Sequence, residues 1–187
     1  MAVLADEVER HRPVAPAAAP ALVAVVLVAA VAAVAGASVP LAAASVPVAM
    51  LPAAVVDLRS FRLPNRLVAG GALAGGLIAA SERSLTTRLD EASLASIALG
   101  VLLFAGPLLV VHLLAPAAMG FGDVKLAVAL GAAIGLTEPV AALTALLIAC
   151  AIATSGGLIG RRATVPFGPA LVAGTAIALA TNSWVAS

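Results

Sequence analysis

The chain has 187 residues, of which 63% are hydrophobic and 10% charged, with a formal net charge of +1. A soluble domain of this length carries about a quarter charged residues, so too little polar surface is present here to cover a globule, and an integral membrane protein is the class that remains. Aromatic residues at 3% and a near-neutral charge balance give no support for a nucleic-acid partner.

The chain opens with a polar tail, residues 1–19, expected on the cytoplasmic side, and residues 20–187 read as one membrane domain. Seven apolar segments follow in order, at 20–37, 39–56, 66–80, 93–114, 124–137, 139–159 and 167–185. A spanning helix needs about 17 to 25 apolar residues, so the third and fifth segments must recruit their flanks. The runs are continuous and rich in Ala and Leu rather than alternating, which predicts helices and not barrel strands. The expected fold is therefore an all-α, polytopic membrane helix bundle of about seven transmembrane helices. "AGA" at 35–37 resembles a signal-peptidase site, but Asp6, Glu7 and Glu9 contradict a positive leader, so the first segment is expected to stay as a span. Pro47 and Pro52 fall inside the second segment, where neighbouring helices can satisfy the carbonyls they free.

Basic residues orient the bundle. With the N-terminus inside, Arg10, Arg12, Arg59, Arg62, Arg66, Lys125, Arg161 and Arg162 fall on the inner side, and only Arg83 and Arg88 on the outer. This bias predicts an N-in, C-out arrangement in a cytoplasmic (inner) membrane. The lone Cys150 lies in an apolar run and reads as a small buried hydrophobe. His112, at the end of the fourth segment, reads as interfacial rather than catalytic, and no metal-ligand spacing occurs.

Two acids stand apart from the rest. Asp57 ends the second segment and Asp123 opens the fifth, and this topology brings both to the inner membrane boundary. The other acids lie in the N-terminal tail or on the outer side. A carboxylate at a membrane boundary is costly and by default marks a functional site. Two that approach closely share a proton near working pH, which suits general acid–base hydrolysis of an amide with neither metal nor covalent intermediate. Gly120 and Gly122 precede Asp123 and are expected to let the backbone bend toward another chain. Structural readings stand beside these: Asp57 could pair with Arg59 or Arg62, and Asp123 could be a helix-start acid with Lys125 nearby. From the residues alone the pair fits a protease or a proton-coupled carrier.

At these residues the chain resembles a known family. "DLRSFRLPN" (57–65), "GFGDVK" (120–125) and "VPFGPAL" (165–171) resemble, in this order, three elements of the type IV prepilin peptidases, intramembrane aspartic proteases of the GxGD type. The resemblance implies an endopeptidase that removes the leader of type IV prepilin-like or pseudopilin substrates at the cytoplasmic membrane face, in pilus assembly or protein secretion. It places the catalytic pair at Asp57 and Asp123. Asn65, Gly120, Gly122 and Lys125 match motif positions as substrate-binding or site-shaping residues, Lys125 having an alternative role as a helix anchor. Pro166 to Pro169 is expected to be architectural. Full-length members have a large cytoplasmic loop, often with a cysteine cluster, linked to N-methylation of the new terminus. Here one cysteine and a short tail predict a peptidase without methyltransferase activity, cofactor or metal. Presenilin-like relatives pair GxGD with a Tyr-Asp element, and this chain has no tyrosine. The competing functions are a proton-coupled membrane carrier, which would want ionisable groups near the midplane, and a non-catalytic assembly partner. Membrane lipids are the other expected partner.

Overall fold

The computed structural model describes residues 41–60, 65–86, 91–117, 119–160 and 166–185. The tail, the segment at 20–37 and the Arg62 and Pro64 positions lie outside the described residues. All regular structure described is helical: α1 (Leu41–Ala49), α2 (Leu51–Ser60), α3 (Asn65–Thr86), α4 (Glu91–Leu114), α5 (Phe121–Gly135), α6 (Ala141–Gly160) and α7 (Phe167–Val185). The third predicted segment recruits flanks on both sides, and the fifth extends back to Phe121.

The second predicted segment is divided at Met50. Pro52 supplies the reason. It has no N–H for the Val48 carbonyl, and its ring crowds that turn. Helical bonds persist on either side, from Met50 N–H to Val46 O (3.0 Å) and from Ala54 N–H to Met50 O (3.1 Å). The segment therefore bends without unravelling.

α5 is central. It packs against α1, α3, α4, α6 and α7. The interior is built mainly of small side chains, among them Ala127, Ala133, Ala145, Ala149 and Ala173, with Phe104, Met50, Leu130 and Leu171 filling the larger gaps. Large apolar residues point outward instead: Leu73, Leu77, Leu102, Leu147 and Leu158 are each at least 65% exposed. In water such a surface would be an aggregation hazard. Against acyl chains it costs nothing, and small residues let helices approach closely. α4 (Ser93–Leu114) and α6 (Ala141–Leu158) are each long and apolar enough to cross a bilayer, and Ala43–Asp57 and Phe167–Thr181 form shorter apolar stretches.

The α4–α5 seam shows the close approach. A Cβ on Gly135 would stand 2.6 Å from Ile97 Cα, and one on Gly131 would stand 2.9 Å from Val101 Cα. Ser96 Oγ donates to Gly135 O across the same seam at 2.7 Å. α1 and α3 are joined similarly, with Ser45 Oγ donating to Gly75 O at 3.1 Å. The C-terminal ends of α2 and α4 and the N-terminal ends of α3, α5 and α7 gather at one end of the bundle, where Gly168 meets Asp57, Lys125 meets Asn65 and Phe121 meets His112.

Candidate active site

Asp57 lies near the C-terminal end of α2 and is only 5% exposed. Its Oδ2 accepts a hydrogen bond from the Gly168 N–H at 3.1 Å. Gly168 is the second residue of α7. The first N–H groups of a helix lack intrahelical acceptors, so this donor is free for a carboxylate from elsewhere. An acid at this spot also meets the positive end of the helix dipole.

Asp123 sits in the first turn of α5. The N-cap, Gly120, has an extended backbone (φ −70°, ψ 141°) and offers no side-chain cap bond. The Asp123 N–H instead donates to Gly120 O at 3.1 Å. Asp123 Oδ1 is buried and has no hydrogen-bond partner. An unpartnered buried carboxyl oxygen is costly, and such atoms need an explanation. The Asp123 carboxyl lies within Coulombic range of Asp57. Among the described residues α2 and α5 do not pack on each other; α7 packs against both. The two acid-bearing helices are thus held apart, with the start of α7 at Asp57.

Any residue can adopt the Gly120 backbone angles, so the bend expected there does not by itself require glycine. What the glycine leaves is open room: a Cβ there would stand 3.8 Å from Asp123 Oδ2, on the approach to the carboxyl. Gly122 is half-buried at the second position of α5.

Lys125 and Asn65 come together at this same end. The Lys125 ammonium donates to Asn65 Oδ1 at 3.1 Å. It also lies 5.0 Å from the centroid of the Phe121 ring. That ring meets His112 at 5.3 Å between centroids, with the planes tilted by 34°. His112 Nδ1 is 2.9 Å from Met119 O, so the Nδ1–H tautomer donates to that carbonyl. These contacts strap the start of α5 to α3 and α4. His112 thus has a structural partner here. The Arg59 and Arg62 side chains, the alternative partners for Asp57, lie outside the described residues. Cys150 is free and, against the buried reading, exposed, which a lipid-facing thiol of a membrane helix explains. Among the described residues no group of three or more His, Cys, Asp and Glu side chains could hold a metal ion.

Gly168 is the functional candidate that sequence reasoning passed over. Its signal was a glycine set between two prolines at a predicted helix start, read only as architecture.

The chain matches the type IV leader peptidase family over residues 44–158, more than half of its length. No curated protein and no solved structure matches it significantly. The chain belongs to the type IV leader peptidase family, a membrane-embedded family whose members are aspartic-type peptidases.

Proposed function

We propose that this member of the type IV leader peptidase family cleaves the leader from prepilin-like or pseudopilin substrates at the cytoplasmic face of the inner membrane, using Asp57 and Asp123. The ionised carboxyl takes a proton from water as the water attacks the scissile carbonyl. The protonated carboxyl donates to the carbonyl oxygen. Collapse of the resulting gem-diol returns the protons, one of them to the departing amine, and regenerates the pair. The supporting observation is the meeting, at one end of the bundle, of two acids from separate helices, one with an unpartnered buried oxygen. A substrate strand lying between α2 and α5 would supply that missing partner. Asn65 and Lys125 shape the site by fixing the start of α5, and Gly120 keeps the approach to Asp123 open.

In this reading the bundle spans the membrane seven times with its N-terminus inside, and the new pilin terminus is left unmethylated. Intact-mass spectrometry of a prepilin co-expressed with the protein tests both points. The expected product lacks its leader and carries no added methyl group. An unprocessed prepilin would refute the peptidase reading, and a methylated product would refute the monofunctional one.

A further inference from the structure

The family match ends at residue 158, yet one contact to the acid pair comes from beyond it, from α7. Phe167 and Gly168 are the first two residues of that helix, and Pro169 is the third. Proline fixes its own φ near −65°, which suits a helix start, and it lacks an N–H that would be unsatisfied there anyway. Pro166 and Pro169 thus frame a short rigid turn. Gly168 supplies its one donor to a buried acid 111 positions away in the sequence. A turn that only ended a loop would need no such donor.

We propose that the first turn of α7 is the positioning device of the site: the Gly168 N–H fixes the rotation of the Asp57 carboxyl and favours its ionised form, making Asp57 the member of the pair that deprotonates water. This deepens the acid-pair reading and rests on it. An N–H can only donate, and a bond to an ionised acceptor is roughly twice as strong as a neutral one. The helix start adds a partial positive charge. Asp123 also lies in a helix first turn, but its Oδ1 has no donor, so the shared proton resides there. Among the described residues the helices around Asp57 carry few other ionisable groups. α2 itself carries Arg59, and α1 and the described part of α7 carry no ionisable side chain. α3 brings Arg66 near its start and Glu82 and Arg83 toward its far end. α5 brings Asp123.

The test replaces the amide between Phe167 and Gly168 with an ester in the full-length protein. This deletes the N–H and adds no bulk. Gly168→Ala, which keeps the N–H, is the companion variant. With a leader-bearing pilin as substrate, the ester protein is expected to lose roughly tenfold to a hundredfold in kcat, the size of a lost bond to a charged group, with KM unchanged. The acid limb of its kcat–pH profile moves to higher pH, because an anion that loses a donor binds its proton more tightly. Gly168→Ala keeps that limb in place. An ester protein with unchanged kcat and limb, or an equal limb shift in both proteins, overturns the proposal. Normal cleavage by Asp57→Asn would instead sink the acid pair itself, a separate outcome.

Discussion

The Lys125 ammonium donates to Asn65 Oδ1 over 3.1 Å, joining the last residue of the DLRSFRLPN stretch to the last residue of the GFGDVK stretch. Both motifs have a stake in this bond, since it holds α3 and α5 in register beside the acids. The pair is exposed, which limits its strength. Lys125→Met and Asn65→Ala are each expected to lower stability by less than about 1 kcal/mol, with a coupling of about 0.2 to 1 kcal/mol in a double-mutant cycle. Cleavage falls by less than roughly tenfold, the kinetic equivalent of that energy. A complete loss of activity in Lys125→Met, with the fold intact, would give the lysine a direct catalytic role.

Asp57→Asn and Asp123→Asn each remove one titrating group while keeping size and most polarity. Each is expected to cost roughly a hundredfold to ten-thousandfold in cleavage rate. The helical signature and membrane insertion stay as in the parent. Leader loss, read by mass spectrometry over time, checks this.

Gly120→Ala separates room from backbone freedom. The backbone at 120 accepts a Cβ, and the nearest atom would be Asp123 Oδ2 at 3.8 Å. Thermal stability in detergent is expected to stay within about 0.5 kcal/mol of the parent, as for a substitution that disturbs no packed feature. Cleavage drops at least tenfold if the space is where substrate lies, on the order of the cost of a modest misplacement at a reacting centre. Unchanged cleavage would show that the space is not used.

Two glycine substitutions should act in opposite directions. A Cβ on Gly135 would run into the Ser96 and Ile97 backbone, whereas Gly70 has nothing within 4 Å. Gly135→Leu is expected to destabilise by at least about 1 to 3 kcal/mol through overpacking. Gly70→Ala is expected to gain up to about 0.5 to 1 kcal/mol from the improved helix propensity. Thermal unfolding in one detergent, with the two variants side by side, reads the contrast.

Much of this arrangement was legible in the sequence for a simple reason of parity. Two helices separate Asp57 from Asp123, so an up-and-down chain must return the second acid to the end where it left the first. Helix ends were equally plain where Pro and Gly punctuate them, as at 136–140 and 166–169. The Gly168 contact was not legible, because a backbone N–H is common to every residue but proline and its acceptor lies 111 positions away. The Lys125–Asn65 bond was hidden for another reason: several polar groups gather at that end, and spacing alone does not choose among the pairings. The break at Met50 fell between these cases. Pro52 announced a weakness, but its neighbours' carbonyls decide whether the helix bends or continues.

The alanine interior and leucine exterior have a consequence at the bench. Little of the bundle's cohesion comes from sequestering bulky side chains from solvent, so the girdle around it is a working part of the folded state. Long-chain detergents that reproduce a continuous acyl sheath are expected to keep the purified protein active. Short-chain ones, whose micelles leave the leucine ridges wet, should let the helices drift apart before any peptide bond is cut.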